Sequence, residues 1–164
     1  GYSKANGGKS LSQGLEIDFQ AAGRDILIDD SQWTGSLATA YVSSTFKDSD
    51  RLGKRIPYVP QGTLTASVGF SHPIGVDLFG EGVYSSSMFS DEDNTIAGSA
   101  NGKVGLIPAH TIFNVNGKYR LDENWNVFGS VKNLTNLKYI ASRHPKGIFP
   151  GLARHYIFGF ETDF

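Results

Sequence analysis

The sequence predicts an all-β protein: an antiparallel, up-and-down barrel that crosses a membrane with strands rather than helices. Three observations carry this expectation. Seven segments repeat with a two-residue apolar period. The links between them alternate between short and long, as in barrels with tight turns on one side and large loops on the other. The parity opposite the apolar one carries charge at a density that the core of a sandwich could not hold.

Bulk properties agree with a membrane barrel without requiring one. Apolar residues make up 39% of the 164 residues and the net charge is −1, with a mean hydropathy of −0.24. No run approaches the roughly 18 apolar residues of a membrane helix. A barrel keeps its mean hydropathy low because lipid-facing and lumen-facing residues alternate. The balanced charge leaves no footprint for nucleic acid. With no cysteine, disulfide scaffolds, thiolate metal sites and cysteine nucleophiles are excluded. "GYSKANGGKS" shows neither a charged n-region nor an apolar stretch, so no signal peptide is expected there.

The segments follow in order. "KSLSQGLEIDFQA" sets Leu11, Leu15, Ile17, Phe19 and Ala21 against Glu16, Asp18 and Gln20. After a medium link, "GRDILIDDSQ", comes "WTGSLATAYVSSTF" with Trp33, Leu37 and Tyr41 in phase. A long polar loop, "KDSDRLGKRIPYVPQ", leads to "TLTASVGFS", where Leu64, Ala66, Val68 and Phe70 alternate with polar or small residues. "HPIG" is a tight turn into "VDLFGEGVYSSSM", with Val76, Leu78 and Tyr84 opposed by Asp77 and Glu81. A second long loop precedes "AHTIFNVNGKYRL", whose Phe113, Val115, Tyr119 and Leu121 oppose His110, Asn114, Asn116, Lys118 and Arg120. "DEN" then turns into "WNVFGSVKN", with Trp125, Val127 and Val131 against Asn126, Ser130 and Lys132. A third long loop reaches the terminal stretch, with Tyr156, Phe158, Phe160 and Phe164 on one parity and Glu161 and Asp163 on the other.

Aromatic spacing fits a bilayer. Trp33 and Tyr41 share a face eight residues apart, about 26 Å at roughly 3.3 Å per residue. A tilt of about 40° brings this to roughly 20 Å along the membrane normal, close to an apolar band between two aromatic girdles.

The stretch "SVKNLTNLKYIASRHPKGIFPGLARHYIFGFETDF" resembles the last two strands of TonB-dependent outer-membrane receptors. Asn133-Leu134, Tyr139, Pro150-Gly151, Arg154 and Phe164 stand where that family carries an Asn-Leu-Phe-like element, a following Tyr, a Pro-Gly-x-x-Arg lead into the last strand and a terminal Phe. Thr135 and Thr162 depart from the pattern. "IPYVPQGTLTASVGF" and "ANGKVGLIPAHTIFNVNGKY" are most similar to the branch that includes ferric dicitrate and hydroxamate-siderophore receptors. The resemblance implies a bacterial outer-membrane barrel of about 22 strands with a plugged lumen. Residues 1–164 would then be about seven C-terminal strands of it, lacking the plug and the earlier strands. It also implies energised uptake of a ferric chelate, either ferric citrate or a siderophore, with the chelate as cargo and no resident cofactor. Outer-membrane lipid, the TonB complex acting through the plug, and the barrel-assembly machinery are the implied partners. Tyr156, Phe158, Phe160 and Phe164 would form the assembly signal.

No catalytic or metal constellation is expected, since His72, His110, His144 and His155 fall on different segments. The protein is therefore read as no enzyme. Ligand contacts are expected from two loop clusters, Arg51, Lys54 and Arg55, and Arg143, His144 and Lys146. Arginine suits multi-oxygen anions because its fork donates to a carboxylate in pairs, although solvated loop charge, offset by Asp48, Asp50, Asp91, Glu92 and Asp93, is the simpler alternative. Arg120, Glu161 and Asp163 are expected to face the lumen, paired with one another or with the plug. Two rivals remain at this stage. A self-contained small outer-membrane barrel with a structural or adhesive role needs an eighth strand, and a lipocalin-like soluble binder needs an apolar interior.

Overall fold

In a computed structural model of the chain, residues 8–47 and 49–162 are described. Asp163 and Phe164 lie outside the described residues. Seven long strands form one sheet: β1 (Ser10–Arg24), β2 (Gln32–Phe46), β3 (Gly62–His72), β4 (Val76–Ser85), β5 (His110–Arg120), β6 (Trp125–Lys132) and β7 (His155–Thr162). Their order in the sheet is their order in the chain, and every neighbouring pair is antiparallel. The sheet is not closed, because β1 and β7 are its two edges.

The register keeps the apolar parity on one side throughout. One row runs Phe19, Leu37, Ala66, Gly82 and Phe113 across β1 to β5. Another runs Trp33, Phe70 and Leu78, and Tyr119, Val127 and Phe160 share a third. Because side chains repeat every two residues, a slip of one in any pair would turn that strand's apolar set inward. No pair slips. Trp33 packs on Phe70 with centroids 4.8 Å apart, and Trp125 on Phe160 at 5.9 Å, both beside the short turns.

The opposite face is laced by polar side chains across the strand pairs. Ser12 meets Ser44 at 2.6 Å, Ser36 meets Ser67 at 2.7 Å, and Ser71 hydrogen-bonds Asp77. Asn114 donates to Glu81 at 3.0 Å, Ser130 to Asn116 at 2.6 Å, and Lys118 reaches Glu161 at 2.6 Å. Two aromatics break the polar pattern there. The Phe128 ring lies over Gly159, where a Cβ would sit 2.4 Å from it, and Phe79 borders Gly69. An aromatic covering a strand glycine restores contact that the missing side chain leaves out.

The connections at one end are short: 73–75 and 121–124, with 25–31 somewhat longer. At the other end 47–61, 86–109 and 133–154 are long. Two small ladders sit within the long loops, Met88–Phe89 with Leu106–Ile107 and Ile140–Ser142 with Phe149–Pro150. Strand periodicity did not reveal them, since two- and three-residue pairings carry no readable period. Among the described residues the buried apolar side chains are Phe46 and Ile107. Both belong to this long-loop end, so the wall itself has no internal core.

Candidate functional site

The three long loops pack into a continuous tier above the wall. Loop 47–61 folds back on β2: Phe46 N–H donates to the Lys54 carbonyl at 2.9 Å and Ile56 N–H to Ser44 at 3.0 Å. Loop 86–109 is organised by Asp91, whose Oδ1 accepts from Asp93 N–H, Thr95 N–H and the Thr95 hydroxyl. Asn94 then clasps the first loop, accepting from Arg55 N–H at 2.6 Å and donating to the Arg55 carbonyl at 2.8 Å. Its positive φ of 56° is one that asparagine tolerates better than most residues.

This arrangement engages most of the cations that the sequence singled out. Arg51 pairs with Glu92 at 2.5 Å and Lys54 with Asp93 at 2.9 Å. Lys54, donating to Asp93, holds that carboxyl below the usual carboxylate range. Arg55 lies over Phe89, 5.2 Å from the ring centroid, and donates to the Ser87 carbonyl at 3.1 Å. Burial lowers the pKa of its guanidinium, with Tyr41 acting in the opposite direction, and arginine remains charged regardless. Arg143 is buried and donates to the carbonyls of Gly102 at 3.1 Å and Leu106 at 3.3 Å. His144 and Lys146 are exposed. Among the described residues no hydrogen bond or ion pair joins the first cluster to the second.

The motif residues Asn133, Tyr139, Gly151 and Arg154 converge on a clasp between the end of β6 and the start of β7. Asn133, 3% exposed, accepts from Leu137 N–H and donates to the carbonyls of Leu137 and Leu152, each at 2.9 Å. Gly151 N–H donates to the Tyr139 carbonyl at 2.8 Å. The Tyr139 ring covers Gly151 so closely that a Cβ there would fall 1.9 Å from it, and the same ring stacks on His110 at 4.5 Å. Arg154 N–H donates to Asn136 at 3.1 Å and its guanidinium sits 5.9 Å from the Tyr156 ring. The clasp by Asn94 and the burial of Arg143 had no local signal in the chain, because each depends on a partner in another loop.

At the short-turn end, Arg120 and Glu161 both lie on the polar face, but they do not meet. Arg120 donates to the Pro73 carbonyl at 3.2 Å, because its backbone already bonds Gly75 and brings the β3–β4 turn within reach. Glu161 is taken by Lys118. Arg120 and Lys118, with Asp77, His72 and Glu123, border an open cleft of about 490 Å³. Tyr156, Phe158 and Phe160 project from the apolar face of the edge strand β7, and all three are exposed.

A wall with one apolar face, laced on the other by polar contacts and crowned by loops, is what the sequence comparisons match. The family model "TonB dependent receptor-like, beta-barrel" covers residues 1–134. The chain belongs to that family. Members of this family of receptor barrels are transporters rather than enzymes, and the homologues are outer-membrane proteins of Gram-negative bacteria.

Solved receptor barrels repeat the architecture. The ferric citrate transporter FecA, in its unliganded form, matches with a TM-score of 0.77 at 24% identity, over 93% of this chain and 24% of that one. The siderophore receptor PiuA from Acinetobacter baumannii gives 0.75 at 16% identity, over 93% and 22%. The ferric yersiniabactin uptake receptor FyuA from Yersinia pestis gives 0.71 at 17% identity, over 93% and 24%. At such identities the likeness is one of fold. The chain spans about a quarter of the length of these receptor chains. In a receptor barrel the apolar face of this sheet meets lipid, the polar face meets the lumen, and the long loops stand on the outer side.

Proposed function

We propose that the chain forms part of an outer-membrane receptor for TonB-energised uptake of a ferric chelate, ferric citrate or a siderophore. The observation that carries this reading is the family match over residues 1–134 on a sheet with one mainly apolar and one mainly polar face. The iron chelate is cargo, TonB acts through a plug domain, and the wall serves as the rigid channel. The exposed aromatics Tyr156, Phe158 and Phe160 on the edge strand, with Phe164 beyond the described residues, form the signal for the barrel-assembly machinery. An edge strand with free backbone groups and a flat aromatic face is suited to capture by strand addition.

Within the outer tier the two cationic clusters are not equivalent. Arg51 and Lys54 are already neutralised by Glu92 and Asp93, and Arg55 and Arg143 donate to carbonyls. His144 and Lys146 are exposed, so the oxygen-rich chelate is bound through these two rather than through the first cluster. Deleting the gene and following radiolabelled ferric citrate and a panel of ferric siderophores, with and without TonB, tests the function. Loss of one chelate's uptake, equal to that caused by removing TonB, is expected; unchanged uptake of all of them would overturn it. In the full receptor, Lys146→Glu should weaken binding of that chelate more than Arg51→Ala does. The reverse order would move the site to the first cluster.

A further inference from the structure

The turn between β1 and β2, residues 25–31, differs from the other short turns. It presents three consecutive exposed apolar side chains, Ile26, Leu27 and Ile28, at 59%, 77% and 49% exposure. The turns at 73–75 and 121–124 present one each, Ile74 and Leu121. The display is held in place rather than loose. Asp25 N–H donates to the Ser31 carbonyl at 2.9 Å, and Asp25 and Asp30 adopt positive φ. Ser31 is buried, donates through its hydroxyl to the Ile28 carbonyl and accepts the Trp33 indole N–H at 2.9 Å.

The apolar residues curl to one side of the sheet. Gly23 is in phase with the lipid-facing row, opposite Trp33, and a Cβ at Gly23 would lie 2.7 Å from Ile26 Cδ1. Ile28 joins Trp33, Phe70, Leu78 and Val115 around an apolar groove of about 340 Å³ on that same face. Asp30 goes the other way and borders the lumen-side cleft with Arg120.

We propose that this turn is a membrane foot: Ile26, Leu27 and Ile28 insert into the bilayer interface on the short-turn side. Lipid is the occupant because the exposed trio continues the Trp33–Phe70–Leu78 row on the apolar face, with Ile28 lining one apolar groove beside those three residues. Insertion stops at the interface. A turn has backbone groups outside any ladder, which hydrocarbon cannot satisfy, and Asp25, Asp29 and Asp30 must stay in water. The side chains dip while the backbone remains at headgroup level, as with interfacial amphipathic segments and aromatic belts. The foot fixes the depth of the β1–β2 hairpin in the membrane.

The test uses the full-length receptor containing this chain, in phosphatidylcholine–phosphatidylglycerol vesicles. A single cysteine at Leu27 carries an environment-sensitive fluorophore, and one at Glu123, in the polar turn of 121–124, is the reference. A blue-shifted emission at Leu27, quenched several times more by lipid spin-labelled near the headgroup than Glu123 and shielded from iodide, is expected. Equal iodide quenching at both positions would place the turn in water and overturn the proposal. Shielding of Leu27 from both quenchers would also overturn it, by showing that protein covers the turn. The same label at Ile28 supplies a second reading should Leu27→Cys reduce assembly.

Discussion

The wall and the outer tier of this chain are built on opposite principles. In the wall, regular backbone ladders satisfy the polar groups, most apolar side chains point away from the protein, and short polar contacts lace the inner face between a few aromatics such as Phe128. In the tier the backbone is irregular, so side chains do what ladders do below. Asn94, Asn133 and Arg143 hold neighbouring carbonyls and N–H groups, and the buried apolar residues Phe46 and Ile107 are found there. The wall draws its stability from lipid and repetition. The tier draws it from a few specific contacts between loops far apart in sequence, and it should fail at single residues.

The contrast can be broken most forcefully on the lipid face. Val68→Arg in the middle of β3 should destabilise the barrel by about 2–4 kcal/mol, the range for a cation near the bilayer midplane. Thr65→Arg, on the polar face of the same strand, should cost far less. The fraction of receptor running as a heat-modifiable folded band measures both. In the tier, Asn133→Ala leaves Leu137 N–H and the carbonyls of Leu137 and Leu152 without their partner, at about 1–3 kcal/mol for the three part-buried hydrogen bonds together. Hydrogen exchange should rise across residues 134–152 while β2 to β5 stay protected.

Gly151→Ala sharpens the same point from the side of packing. The added methyl meets the Tyr139 ring and should cost about 1–3 kcal/mol as overpacking, with loss of the Tyr139–His110 stack seen in the His110 ring resonances. The smallest effect is electrostatic. The Asp93 carboxyl is depressed in the folded protein by Lys54, so its contribution is full above the unfolded carboxylate pKa and is lost as pH falls through the lower folded value. Exchange at residues 91–95 should therefore quicken only in acid, below the usual carboxylate range, and Lys54→Met should abolish that pH dependence.

The same division governs what could be read from the chain. All seven wall strands were legible because a lipid-facing surface imposes one parity on each of them, and the pairing Gly23–Trp33 merely carries β1 past Ala21 to Arg24. The resemblance located Asn133, Tyr139, Gly151 and Arg154, but not that they meet in one clasp. The loop cations were visible as clusters, and Glu92 and Asp93 as acids that could offset them, whereas which cation meets which acid and which carbonyls engage Arg55 and Arg143 depend on how the loops pack. Arg120 and Glu161 share the polar face but do not pair with each other, since the reach of Lys118 and the nearness of the β3–β4 turn are matters of tertiary geometry, and Asp163, the other expected partner of Arg120, lies outside the described residues. The apolar 26–28 segment fell inside a link with no strand period, so its turn toward the lipid side was not legible.

The central claim is that one face of this sheet meets lipid and the other an aqueous lumen. The chain has no cysteine, so, once any cysteines elsewhere in the full receptor are replaced, single cysteines can be placed in turn at residues 63 to 71 of β3, spin-labelled and reconstituted. Accessibility to oxygen against a water-soluble nickel chelate then reads each side. Oxygen access peaking at residues 64, 66, 68 and 70, with nickel access at 63, 65, 67, 69 and 71, is the predicted result. Equal access along the strand, or nickel access at Val68, would contradict it.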